Sequence, residues 1–229
     1  MCVDRDVRLY RIGCGAALVA GPALFLVDNL IHPEELGRGN EAAQLAAIAA
    51  DSERWQIAHL IGFVSLLIFA AALFGLAYVV RRQRPRLGLA AGAAGVAGLM
   101  GLSFAFALDG FTWGVLGEIS ARPGADPATA ALALHEVQQS AWSAPYYALT
   151  ALWGAALVAL AWGAARAGVL RAAPAVLLAL GTIAVGLEGV VQDNTYFIAS
   201  SALLLLGGAW AGFAILRLDD TAFAAGRVA

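Results

Sequence analysis

Four side chains able to hold a metal or move a proton fall at the ends of long apolar runs in this chain: Asp28, His59, Asp109 and Glu188. A carboxylate in hydrocarbon is costly unless it meets a metal, a proton, a counter-charge or water. Each of the four sits near the same end of a different apolar run, so one shared level accounts for them together. An imidazole with three carboxylates suits zinc, iron or manganese. A metal held there would activate water for hydrolysis or carry redox chemistry. His135 and Glu136 are placed to descend onto the set from a surface helix, and His32 to reach it from just beyond the first run. Trp55, Trp113, Trp142, Tyr146 and Asp193 complete the candidate pocket.

The motif evidence is thinner than the donor chemistry. The chain has no HExxH, no Glu-x-x-His pair within an apolar run and no paired-ligand spacing, and His135 and Glu136, being adjacent, do not share a helix face. Haem is a narrower version of the same idea, with His59 and His135 as its only axial pair. A small-solute or proton transporter using Asp109 or Glu188 is the alternative class. Against it stands the other half of each run, where Ser65, Ser103, Thr150 and Thr182 are the few polar groups and hydroxyls there ordinarily bond the preceding helical turn. A third reading is an accessory subunit, its polar end closed by Arg54 or Arg122 paired with Asp109 or Glu118. The same aromatics also read as an interfacial belt: Trp55, Trp113, Trp142, Tyr146, Tyr196 and Phe197.

What must position these residues is a set of membrane helices. Of 229 residues, 61% are hydrophobic and 13% charged, and the mean hydropathy is +0.77. Six stretches, Ile12–Ile31, Ile57–Val80, Leu87–Leu108, Ala144–Ala165, Ala172–Val190 and Phe197–Leu216, approach the roughly 20 residues that cross a bilayer. The expected fold is an all-α integral membrane protein, a six-transmembrane helical bundle forming a single membrane domain. If six helices alternate, 11 of the 14 arginines share one side, and the positive-inside rule makes that side and both termini cytoplasmic, in a bacterial plasma membrane. Basic residues ahead of an apolar run also suggest a secretory signal, but Pro22 interrupts the run and Val27-Asp28-Asn29 offers no cleavage site, so the run reads as a retained first span. Gly21-Pro22 is expected to bend it.

Outside the spans, Asn40 is a candidate N-cap for a surface helix over about 41–54. Asp126-Pro127 starts a second helix over about 127–139, the acid as cap and proline in the first turn. Gly88, Gly92, Gly95, Gly98 and Gly101 form a small-residue stripe on the third span, a packing face for a neighbouring helix, a second copy or another membrane protein. Trp55-x-x-x-His59 and Trp142-x-x-x-Tyr146 echo each other, as do Asp109-Gly110 and Glu188-Gly189, in the manner of duplicated hairpins.

Composition also excludes chemistry. The chain has no lysine, so a retinal or pyridoxal Schiff base has no amine to form on. Cys2 and Cys14 lie at the end opposite the histidines, which disfavours a Cys-His metal site. Arg81-Arg82-Gln83-Arg84-Pro85-Arg86 reads as an anchor on anionic headgroups of the lipid bilayer rather than a nucleic-acid face, and the formal net charge is only −2.

Overall fold

A computed structural model describes residues 5–33, 40–140, 143–191 and 193–226. Its elements are helical throughout: α1 Arg5–Ile31, α2 Glu41–Ala50, α3 Ser52–Gln83, α4 Pro85–Leu108, a π-helical turn Asp109–Trp113, and α5 Gly114–Ser120. They are followed by α6 Pro127–Gln139, α7 Ser143–Arg166, α8 Ala172–Gly186, α9 Glu188–Val191, α10 Asn194–Leu216 and α11 Asp220–Ala225. Five helical stretches are long and apolar enough to cross a membrane: Arg5–Ile31, Ser52–Gln83, Pro85–Ser120, Ala148–Arg166 and Asn194–Leu216. The apolar helix Ala172–Gly186 is shorter. The chain is therefore an all-α, multi-pass membrane protein.

Six helices close into a ring in which each packs on the next: α1 on α3, α3 on α4, α4 on α7, α7 on α8, α8 on α10, and α10 back on α1. The centre is filled by Leu18, Phe69, Leu73, Leu76, Leu157, Leu160, Leu178 and Leu204. Lipid is as apolar as leucine, so association of such helices rests on close packing rather than on water exclusion. Glycines supply it. A Cβ on Gly92 would press on Ala77 of α3, on Gly95 on Leu73 and Ala156, and on Gly98 into the α7 backbone, 2.7 Å from the Leu149 carbonyl oxygen. The stripe expected as a face for a partner is thus taken up inside the chain by α3 and α7, including Gly88 against Arg81 and Gly101 against Leu149. On the opposite side Gly181 and Gly207 bring α8 and α10 together reciprocally, and Gly212 meets Gly15 of α1.

α1 runs unbroken through Pro22. Proline there offers no N–H to the Leu18 carbonyl. Gly208 of α10 packs directly against that carbonyl, so helix packing covers the gap.

At one end of the bundle the termini and the basic links meet. Arg11 donates to Asp220 at 2.7 Å and to the Leu216 carbonyl at 2.6 Å, while Gln83 reaches the carbonyls of Ala167 and Gly226. Arg82 donates to the Tyr78 hydroxyl and Arg84 lies over Trp162. The short helix α11, which the apolar pattern does not mark, seats Phe223 in the core and ends on Gly226 in the left-handed region, with φ of 68°.

The other end carries a small cap outside the ring. α2, α5 and α6 pack together around Leu45, Ala130 and Leu134, joined by Trp113 and Leu116. Asp126 caps α6 as expected, accepting from the Ala128 amide at 3.0 Å. Asn40 makes no side-chain cap bond, and α2 stops at Ala50, because Asp51 forms a turn before α3 begins at Ser52. The largest departure from expectation is α4. Instead of ending at Leu108 it continues through the π turn into α5, since Gly114 and Gly117 let the extension lie on α3 and α2. In the fifth expected span the helix breaks at Leu187, and α9 follows as a separate turn.

Two measurements test this packing. Gly98→Ala is expected to destabilise the bundle by about 1–3 kcal/mol, the usual cost of overpacking, because the added methyl meets rigid α7 backbone. Gly154→Ala, whose methyl would rest 3.7 Å from Thr182, should leave the thermal midpoint unchanged or raise it. Asp219 caps α11, and its hydrogen bond from Thr221 holds the carboxyl below the ordinary aspartate range. A depressed folded-state pKa means stability that is present above the unfolded value and lost as pH falls through the folded one. Amide exchange at Ala222 should therefore quicken on acidification below about pH 4, and Asp219→Ala should remove that dependence.

Candidate functional site

At the end of the bundle away from the termini, α1, α3 and α4 bring together five rings. His59 lies one helical turn after Trp55 on α3, with ring centres 4.4 Å apart. His32, just past α1, completes a triangle, 4.8 Å from Trp55 and 5.0 Å from His59. Phe106 of α4 closes the inner side at 5.9 Å from His59, and Trp113 stacks on Trp55 from the π turn at 6.0 Å. Trp55 and His59 lie inside the protein, while His32, Phe106 and Trp113 are half-buried around them. Trp55 is 1% exposed and His59 8%.

Backbone carbonyls orient both imidazoles. His59 Nδ1–H donates to the Trp55 carbonyl at 2.9 Å, and His32 Nδ1–H donates to the Pro33 carbonyl at 2.8 Å. A carbonyl only accepts, so each neutral ring carries its proton on Nδ1 and presents Nε2 as the basic nitrogen. Burial pushes His32 down to about 4, with Arg54 acting in the same direction and the Pro33 bond opposing, which keeps the ring uncharged near neutrality. Arg54 itself donates to the Ile31 carbonyl at the end of α1 and lies 3.7 Å from Asp51.

Beneath the rings lies Asp28, 1% exposed. Its Oδ2 is packed against Gly62, where a Cβ would come within 2.6 Å of it and would also strike Phe106. Gly62 is one turn from His59 on the same helix, so the carboxylate and the imidazole belong to one neighbourhood. Asp109 opens the π turn, and its carbonyl accepts from Trp55 Nε1 at 3.2 Å. Gly110 then brings the α4 backbone against His59, with a Cβ position 2.6 Å from the His59 Cβ. π-turns interrupt α-helices where a side chain or backbone must be re-aimed, often at functional sites.

The other expected members of the site go elsewhere. Glu188, on α9, accepts from Ser200 of α10 and so faces the α8–α10 side of the ring. His135 does not descend onto the rings: its Nδ1 lies 2.9 Å from Glu41, tying α6 to α2 within the cap, and Glu136 is exposed to solvent. The haem pair His59 and His135 is thereby separated into two different clusters. Asp193 is the N-cap of α10, accepting from the Tyr196 amide at 2.8 Å. Trp142 and the side chain of Tyr146 lie outside the described residues. Among the described residues no group of three or more His, Cys, Asp or Glu side chains is arranged to hold a metal ion, so the four-residue set Asp28, His59, Asp109 and Glu188 does not assemble as one ligand shell.

Phe106 and Gly110 stood out in the sequence only as a pocket-lining aromatic and as half of an acid-glycine pair, and Gly62 was not marked at all. The available signal was spacing: Gly62 stands three residues after His59, and Gly110 directly follows Asp109. Asn29, likewise unmarked, joins α1 to α10 by donating to Ser201 Oγ at 2.5 Å and to the Phe197 carbonyl at 3.4 Å.

Gly110→Ala should push α3 away from the π turn, shifting the tryptophan emission maximum and lowering the thermal midpoint. Gly114→Ala places its methyl at an ordinary 3.6 Å from Trp55 and should change neither. Equal behaviour of the two variants in fluorescence and melting would contradict the close approach at Gly110.

No protein-family profile, curated protein or solved structure matches this chain, so a functional reading is carried by the arrangement of its own side chains.

Proposed function

We propose that the chain is a six-span protein of the plasma membrane, with cytoplasmic termini and an outer-face metal site whose protein donors are His32 and His59. The observation that carries this reading is the pair itself: two imidazoles, His59 buried and His32 half-buried, 5.0 Å between ring centres, each with Nδ1 committed to a backbone carbonyl. Imidazoles on two corners of a tetrahedral metal, with metal–nitrogen bonds of about 2.0–2.1 Å, have ring centres about 5 Å apart. Ligating histidines ordinarily donate their other nitrogen to a carbonyl or carboxylate, which fixes the tautomer. The span count treats the shorter apolar helix α8 as a crossing, and the orientation follows the arginines gathered at the termini end.

Zinc at this pair would acidify a bound water for hydrolysis, whereas iron or manganese would serve redox chemistry. The chain's own contribution is to hold the two rings and to exclude bulk water with Trp55, Trp113 and Phe106. Asp28 places a carboxyl beneath the pair, toward α3. The hydroxyls deeper in the bundle favour this reading over a proton conduit. Ser65 donates to the Gly21 carbonyl of α1 at 2.8 Å and Thr182 to the Leu178 carbonyl one turn back in α8 at 2.7 Å, so both are committed to backbone carbonyls.

Detergent-purified protein, stripped and then exposed to zinc, manganese or ferrous iron, should bind one ion per chain. His32→Ala and His59→Ala should each weaken binding by more than the about 10–100-fold that losing an outer-shell partner costs. His135→Ala and Glu188→Gln should bind as the parent does. Failure to bind any of the three ions at one per chain, or unchanged affinity in the His32→Ala, His59→Ala double variant, would overturn the assignment.

A further inference from the structure

At the termini end, far from the histidine pair, α1 and α3 part to leave a lateral groove of about 490 Å³ lined by Asp6, Leu9, Tyr10, Gly13, Cys14, Ala71 and Phe74. On α1 the lining residues recur at three- and four-residue steps, so one helix face borders it continuously. Gly13 makes the space: a Cβ there would meet nothing within 4 Å. Leu9, Tyr10 and Phe74 remain substantially exposed, an apolar surface on a helix pair that crosses hydrocarbon.

The mouth of the groove is charged. Tyr10 stacks on Tyr78 with ring centres 5.2 Å apart, and the guanidinium groups of Arg81 and Arg82 both lie over Tyr78, at 5.2 and 5.0 Å. Both arginines are exposed. Apolar wall, stacked tyrosines and paired guanidiniums thus run on from one another, against the single acid Asp6 at the lining. Arg11 is ion-paired with Asp220, and Arg5 and Arg8 add exposed positive charge on α1 beside Asp6 and Leu9.

We infer that this groove binds one anionic phospholipid of the leaflet on the termini side, an acyl chain lying between α1 and α3 past Gly13 and the headgroup phosphate on Arg81 and Arg82. The site is independent of any metal at the outer end. Arginine recognises phosphate through a planar fork of donors, and basic residues at the membrane surface favour anionic lipid.

Native mass spectrometry of the full chain in mixed micelles would compare phosphatidylglycerol with phosphatidylcholine of identical acyl chains. One phosphatidylglycerol should be retained per protein, with a preference on the order of thirtyfold from two guanidiniums. Arg81→Gln with Arg82→Gln should abolish the headgroup preference while leaving some lipid of either kind bound. Gly13→Leu, whose side chain enters open space, should expel the lipid from a bundle that keeps its helicity and thermal midpoint. Equal retention of the two lipids by the parent protein would overturn the proposal. So would an unchanged preference in the arginine double variant, which also stands if Gly13→Leu proves unstable.

Discussion

Hydrocarbon offers no hydrogen-bond partner, and the whole bundle is organised by that constraint. Backbone groups are satisfied within helices, and the hydroxyls inside the ring are given to carbonyls: Ser65 to Gly21, Thr182 to Leu178, Ser201 to Phe197. With polar chemistry withdrawn from the interior, cohesion falls to close contact between backbones, and glycine sets how near they come. Gly98 admits α7, Gly181 and Gly207 mate α8 with α10, and Gly15 with Gly212 closes the ring onto α1. The charged side chains gather toward the two ends, while Trp153 stays in the core edge-on to Phe69 with its Nε1 unpartnered among the described residues. The termini end holds arginine, tyrosine and glutamine, and the opposite end holds histidine, tryptophan and the buried Asp28.

The two ends are built differently. At the termini end cations find aromatic faces, carbonyls and one carboxylate, and the links between helices are short. The far end is layered: a ring cluster of His32, Trp55, His59, Phe106 and Trp113 sits on the bundle, and a helical cap of α2, α5 and α6 sits beside it with its own apolar centre. Trp113 belongs to both, stacking on Trp55 and packing against the cap core. The histidines are therefore walled by aromatic surface, with Trp113 standing between Trp55 and the cap.

Much of this was legible in the apolar runs, because length in hydrocarbon is a strong signal and charged links punctuate it. Position along a run gives depth but not azimuth. Asp28 and Glu188 share a level by counting, yet the first turns toward α3 and the second toward α10, and only packing decides that rotation. His32 looked peripheral because it lies beyond its helix, but the end of α1 leads it back over Trp55. The extension of α4 through Asp109-Gly110-Phe111-Thr112-Trp113-Gly114 was hidden for another reason. Its glycines weaken helix propensity, so the segment reads as a loop, and its helical state depends on contact with α2 and α3. The glycine stripe was read correctly as a packing face, though the sequence could not say that its partners were α3 and α7.

The π turn at Asp109–Trp113 joins two straight pieces, α4 in the membrane and α5 in the cap, into a helical stretch of 36 residues, about 54 Å at 1.5 Å per residue. A rod that is stiff on either side of one widened turn concentrates bending at that turn. Gly110 occupies it, and Gly110 is the backbone position pressed against His59. The cap, continuous with α3 through Asp51 and with α4 through the π turn, is thus anchored to the bundle on both sides of His59, and the spacing of those two anchors is set where Gly110 meets it.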